Sequence, residues 1–406
     1  MNTAAFRPGI RHNRTQFLLL VLITAFIGSM VGMERPLIPQ LAQQVFGLAS
    51  KTAMFSFIVA FGISKALTNF ITGRLSDRWG RKRLLVAGWG IALPVPWILM
   101  YADNWNWIIL GNVLLGITQG MSWSSTQVMK LDLATGRERG LAMGVNEFAG
   151  YFAVGVVTFL VSYIAGTYGL RPYPFYVGVL FSVLGLLVSL LWTKDTRQGR
   201  TSAPAAPEAS IEGAPMARSN VPAITQAGTV NNMNDGMLWG LYPLVLTANG
   251  FSIAEAGAII AVYPACWGIG QLFTGRLGDL LPKKYLLFAG MTLQAATLAA
   301  LPFVSERTVF VGLSVALGIG KALVYPNFVA AIDESTAPQR RARTIGSFRF
   351  FRDIGYALGA ILTGLVADAF GTAPAIFLVA GVTLLSALGI AFGMRAPRTW
   401  TTAAVS

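Results

Sequence analysis

The feature that most constrains this chain is a series of apolar runs, each near or beyond the roughly 20 residues that a helix needs to cross a bilayer. One extends from Phe17 to Val31 and continues through Pro36 and Pro39, and another covers Ala375 to Phe392. A soluble core of similar apolarity would be built from short runs separated by polar faces. Composition agrees: 12% of the 406 residues are charged, against about 25% in an ordinary soluble domain.

The runs predict an all-α membrane protein with twelve transmembrane helices, near 15–42, 53–73, 84–101, 106–128, 140–166, 172–193, 221–247, 254–274, 285–304, 308–332, 344–368 and 373–394. Between the sixth and seventh lies a small, polar, Pro-rich stretch around Ala203-Pro-Ala-Ala-Pro, of the kind that forms a flexible linker. The expected organisation is a first half over 1–193, a linker over 194–220 and a second half over 221–406. The net charge of +14 does not point to nucleic acid, because the basic residues form short clusters between apolar runs. One set of loops holds Arg74, Arg78, Arg81, Lys82 and Arg83, then Lys130, Arg137 and Arg139, with Arg276, Lys283, Lys284, Arg340, Arg341 and Arg343 in the second half. The other set offers only Lys51, Arg171 and Arg307. The positive-inside rule then puts both termini and the linker in the cytoplasm, and a bacterial cytoplasmic membrane is the expected location.

The two sides of the linker repeat each other. Gly73-Arg-Leu-Ser-Asp77 returns as Gly275-Arg-Leu-Gly-Asp279, displaced by 202 positions, and the spacing from Gly116 to Gly144 recurs from Gly318 to Gly346 at the same displacement. Pro39 and Pro243 match at 204. Two six-helix halves of the same orientation follow, the plan of carriers that rock one half against the other.

The run Gly73-Arg-Leu-Ser-Asp77-Arg-Trp-Gly80-Arg81-Lys82-Arg83 resembles the signature loop of the major facilitator superfamily, G-x-L-[SA]-D-[RK]-x-G-[RK]-[RK]. The copy from Gly275 to Lys284 is degraded, with Pro282 in place of the second glycine. With the repeat, the resemblance covers essentially the whole chain. It implies that Asp77 and Arg81 hold a cytoplasmic gate, with Asp132 as a second partner for Arg81, and that spans one, four, seven and ten line a central cavity. Gly73 and Gly80 are expected at a tight turn with positive φ. The arginine in span four and the Gly-Pro element in span five that many drug–proton antiporters of this family carry are missing: Asn112 stands at the first position, and span five reads Asn146-Glu147-Phe148-Ala149-Gly150.

An ionisable group inside a bilayer is a candidate functional residue by default, and nine fall inside the predicted spans away from their ends: Glu34, Arg35, Lys65, Glu147, Asp235, Lys321, Arg349, Arg352 and Asp353. Span seven carries Asn231, Asn232, Asn234, Asp235 and Gly236, followed by Trp239. Those amides cannot all face lipid; they either meet the substrate or hold helices together, and Gly236 would loosen the helix. Glu34 and Asp235 are the candidate proton carriers. Adjacent Glu34 and Arg35 should point about 100° apart on a helix. Arg35, Gln119, Trp123, Trp239, Lys321 and Tyr325 are candidates for the substrate path. Arg349 and Asp353, four apart on one face, read with Arg352 as a gate network with span two. Lys65 and Glu147 are open between internal pairing, gating and substrate or proton contact.

With no Walker loop, ATP is not the direct energy source. No H-E-x-x-H, metal cluster or Ser–His pairing is visible and the single histidine, His12, lies outside the spans, so neither a metal, a cofactor nor an enzyme is expected. The sequence therefore reads as a secondary transporter of a small solute, with protons as the candidate coupling ion and a polar or anionic metabolite ahead of a drug, and the family resemblance implies a monomer. A multidrug antiporter is the alternative, and a non-transporting scaffold the alternative of another class.

Overall fold

The structure, a computed structural model, describes residues 9–135, 138–196, 220–336 and 340–395, without the side chains of Gly73, Arg74, Asp77, Asp279, Arg341 and Ala342. The predicted linker thus lies outside the described residues except for its ends. The described chain is helical: α1 (Arg14–Glu34), α2 (Ile38–Gln44), α3 (Lys51–Trp79), α4 (Arg81–Ala92), α5 (Pro94–Tyr101), α6 (Trp105–Leu133), α7 (Arg139–Tyr168), α8 (Tyr173–Leu191), α9 (Val221–Ala248), α10 (Ile253–Leu280), α11 (Lys283–Ala300), α12 (Arg307–Ser335), α13 (Arg341–Phe370) and α14 (Thr372–Gly393). Prolines lack the N–H that continues a helix. Pro36 therefore divides span one into α1 and α2, and Pro94 divides span three into α4 and α5, so fourteen helices make twelve passes.

Ten of these passes are long and apolar enough to cross a membrane by themselves. The remaining two, α6 and α9, are spans four and seven, the ones with polar residues along their length: Asn112, Gln119 and Gln127 in the first, and the Asn231–Asp235 cluster in the second. All of these are buried, so a span too polar for lipid is surrounded by other spans.

Both ends of the described chain lie on one face, which also carries the basic loops. Four polar contacts described there each stay within a half: Arg81 pairs with Asp132, Gln16 donates to the Trp192 carbonyl, Lys283 pairs with Glu334 at 2.6 Å, and Asn220 donates to the Arg395 carbonyl. At the opposite face the polar contacts join the halves. The Asp368 carboxylate, on span eleven, accepts from the Ser50 hydroxyl at 2.7 Å and from the Thr52 N–H at 3.0 Å, capping span two. Gln40 donates to the Pro243 carbonyl at 3.1 Å. Along the core, span five runs against span eight and span two against span eleven.

Two glycine expectations change. Gly73 lies inside α3, and the left-handed turn before span three is made by Gly80 alone, at φ +88°. The helix continues past the membrane edge because Gly73-Arg-Leu-Ser-Asp77 keeps its i→i−4 bonds, so the signature segment is mostly helix. Gly236 does not loosen α9, which is unbroken. A Cβ there would sit 2.3 Å from the Tyr356 carbonyl oxygen, so the glycine lets spans seven and eleven touch backbone to backbone. Gly28 plays that part in the first half, where a Cβ would lie 2.1 Å from the Gly150 oxygen.

Gly28→Ala should therefore destabilise by roughly 1–3 kcal/mol, as overpacking does. Gly381→Ala, in span twelve with nothing near its added Cβ, should be neutral or stabilising by up to about 1 kcal/mol. Thermal unfolding in one detergent checks the contrast, and equal melting temperatures for the two variants would contradict the close approach.

Candidate functional site

Between the halves, on the basic side of the centre, a cavity is lined by Lys65 of span two, Trp123 of span four, Tyr151 of span five, Tyr325 of span ten, and Arg349 and Arg352 of span eleven. Tyr151 stacks on Trp267 with ring centroids 3.5 Å apart, and Tyr325 meets Trp267 edge-on at 5.6 Å. The result is an aromatic wall across spans five, eight and ten. Beside it stand the cations. Arg349 donates to the Gln127 amide oxygen. Arg352 donates to the Tyr325 hydroxyl at 2.8 Å and pairs with Asp353 at 2.8 Å. Lys65 has no ion pair among the described residues and lies 5.4 Å from the centre of the Phe61 ring and 5.2 Å from that of Tyr356.

The predicted Arg349–Asp353 face does not pair. Its acid is taken by the neighbouring Arg352, and Asp353 also accepts from Asn69 of span two and, at 3.4 Å, from Asn232 of span seven. The expected link to span two is thus present, while both arginines reach the cavity.

Five other candidates are buried away from the cavity. Lys321 pairs with Asp235 at 3.0 Å and donates to the Asn231 carbonyl, with Tyr263 donating to the same Asp235 carboxylate. Asn234 faces the back of its half, donating to Gln294 of span nine at 3.1 Å and accepting from Thr383 of span twelve at 2.7 Å. Gln119 donates to the Ile27 carbonyl at 2.9 Å, tying span four to span one. Such side chains hold helices together in lipid.

Glu34 and Arg35 pair with each other, at 3.3 Å. Arg35 keeps helical backbone angles, φ −56° and ψ −43°, and its N–H still bonds the Val31 carbonyl, so the pair forms because the long arginine side chain folds back towards its neighbour. Trp239 lies against the Arg35 guanidinium, with its ring centre 4.1 Å away.

Glu147 sits behind Trp123. Its Oε1 accepts from Asn146 at 2.7 Å and from the Trp123 indole at 3.4 Å, while Oε2 has no hydrogen-bond partner. The signature segment lies at the basic face, where Arg81 meets Asp132 as expected and the Thr196 hydroxyl donates to that carboxylate at 2.7 Å. The side chain of Asp77 lies outside the described ones. Lys130, expected in a loop, is buried in span four and donates to the Leu20 carbonyl at 3.0 Å. It adds nothing to the charge of the basic face.

Sequence reasoning missed Tyr151, Gln127, Asn69 and Tyr356. A tyrosine in an apolar run carries no signal of which way it points. Gln127 and Asn69 could have been found, since an amide in a predicted span needs a partner as much as a charge does.

The profile described as the Major Facilitator Superfamily matches residues 18–229 and again 224–405. Rat monocarboxylate transporter 13 is 25% identical over 91% of this chain and 87% of its own length. Multidrug resistance protein MdtG of Dickeya zeae is 23% identical over 82% of this chain and 81% of its own. Among solved structures, the human organic anion transporter MFSD10 superposes with a TM-score of 0.71 at 14% identity, covering 93% of this chain and 99% of that one. The nucleoside transporter NupG does so with 0.75 at 12% identity, covering 94% of this chain and 100% of that one. The chain belongs to the Major Facilitator Superfamily, as a multi-pass secondary transporter that moves a small solute by alternating access and is not an enzyme.

Proposed function

We propose that the protein carries a small organic anion with an apolar or aromatic part, together with a proton, across a bacterial cytoplasmic membrane. One observation carries the reading: the cavity wall holds Lys65, Arg349 and Arg352 and no carboxylate. Asp353 neutralises Arg352 from behind, which leaves Lys65 and Arg349 to attract an anion in a region of low dielectric where one charge calls strongly for its opposite. Trp123, Tyr151 and Tyr325 supply flat apolar surface beside them. The names of the rat relative and of the human structural neighbour agree with this chemistry. A second reading, export of cationic drugs, is favoured by the MdtG relatives and by Glu147 behind Trp123; the absent antiporter elements weigh against it.

Glu147 is the proposed proton carrier, in place of Glu34 and Asp235. Those two are each held by a cation, at 3.3 and 3.0 Å, whereas Glu147 has an open oxygen and no ion pair among the described residues. A monoanion and a proton crossing together move no net charge. The basic loops support a cytoplasmic side for their face and for both chain ends. Since both halves of the path come from one chain, a monomer suffices. The first half is taken as 1–193 and the second as 221–406, joined by the linker.

In proteoliposomes, benzoate uptake driven by a pH gradient should fall at least about tenfold in Lys65→Gln and in Arg349→Gln, the cost of one charge contact. Lys283→Gln, altering a surface pair, should leave it unchanged. Uptake of tetraphenylphosphonium in place of benzoate, indifferent to both cavity variants, would sink the anion reading.

Glu147→Gln should abolish accumulation of benzoate against its gradient while benzoate–benzoate exchange continues. Accumulation at the wild-type level in this variant would assign the proton elsewhere.

A further inference from the structure

The Arg35 guanidinium is 3% exposed, and none of its three nitrogens has a hydrogen-bond acceptor among the described residues. Its ion pair with Glu34 is not aligned as a hydrogen bond, and both Glu34 oxygens are likewise without donors. Leaving five N–H donors unmet in a dry site is costly. What surrounds the group instead is aromatic: the ring centres of Phe61 and Trp239 lie 4.2 and 4.1 Å from the guanidinium carbon, with Phe57 at 5.6 Å.

These rings belong to different halves. Phe57 and Phe61 are on span two, in the same half as Arg35, whereas Trp239 is on span seven and stacks on Tyr356 of span eleven at 4.6 Å. Phe61 meets Trp239 and Tyr356 edge-on, each at 6.0 Å. The three rings form a layer with a cation on each side, Lys65 towards the cavity and Arg35 towards the opposite face. Beyond Arg35 lie the Gln40–Pro243 bond and then the Asp368 cap of span two. When the halves part at the opposite face, Trp239 leaves with its own half and Arg35 stays on Phe61, its donors uncovered.

We infer that Arg35 is a second anion site on the same path, the carboxylate receptor of the state open to the opposite face, and that Trp239 is the lid that closes it in the state described. A planar guanidinium with unmet N–H groups matches a carboxylate in fork geometry, and the Phe57–Phe61 side of the cage accepts the apolar part of the same molecule. The anion is then handed through the aromatic layer from Arg35 to Lys65 and Arg349. This rests on the proposed carriage of organic anions.

The test uses the full chain in membrane vesicles of both orientations, with benzoate as the probe. Arg35→Gln should raise the KM for benzoate presented at the opposite face at least tenfold and change the KM at the basic face less than twofold; Arg35→Lys, which keeps the charge without the fork, should fall between. Arg349→Gln should show the reverse sidedness. Trp239→Ala, which removes the lid, should speed modification of Arg35 by phenylglyoxal, read by peptide mass spectrometry, and benzoate should slow it again. Wild-type protein that carries no carboxylate would overturn the function itself. Wild-type transport with an unchanged opposite-face KM in Arg35→Gln, or an equal rise on both faces, would overturn only the second site. Phenylglyoxal labelling indifferent to benzoate would overturn it as well.

Discussion

A charge inside a bilayer must find its compensation within the protein, and that requirement organises the interior of this carrier. Of the nine ionisable residues expected away from the ends of its spans, six form three pairs: Glu34 with Arg35, Asp235 with Lys321, and Arg352 with Asp353. The buried Lys130 of span four spends its ammonium on the Leu20 carbonyl and the Thr24 hydroxyl, whereas Lys65, Arg349 and Glu147 have no ion pair among the described residues. Those three meet at one place, because Lys65 and Arg349 line the cavity and Glu147 reaches it through the Trp123 indole. Charges left over by internal pairing locate the site better than proximity to the bilayer centre does.

The pairs also differ in what they hold. Asp235–Lys321 joins spans seven and ten within one half, and the Arg81–Asp132 pair ties spans three and four within the other. The bonds between halves at the opposite face are few and exchangeable: Asp368 on the start of span two, Gln40 on the Pro243 carbonyl, and Trp239 over Arg35. Rigid halves and a light seal are the ingredients of alternating access.

Much of this was legible in the sequence, and the failures have physical causes. Twelve spans and the repeat follow from apolar length and from glycine spacing that survives in both halves. The Arg81–Asp132 contact was legible because a signature segment fixes its neighbours. Partner choice among intramembrane charges was not. Helical spacing assigned Asp353 to Arg349, and Arg352 took it instead because a long arginine can fold back to the next residue. It also separated Glu34 from Arg35, which pair in the same way although Arg35 keeps helical backbone angles. Lys321 looked available to a substrate because a sequence does not display that Asp235, in another span, faces it. Asn234 and Gln119 turned out to hold helices together, a role chemically indistinguishable in sequence from ligand binding.

The central claim is that the cavity selects negative charge. Benzoate, benzamide and benzylammonium share a ring and nearly a shape while differing in charge, and each can be titrated into the detergent-purified wild-type protein by calorimetry. Binding of benzoate at least tenfold tighter than of both others, weakened in Arg349→Gln, is the expected result. Benzylammonium as the tightest of the three would contradict it, and would mean that Glu147, and not the cations of the wall, faces the substrate.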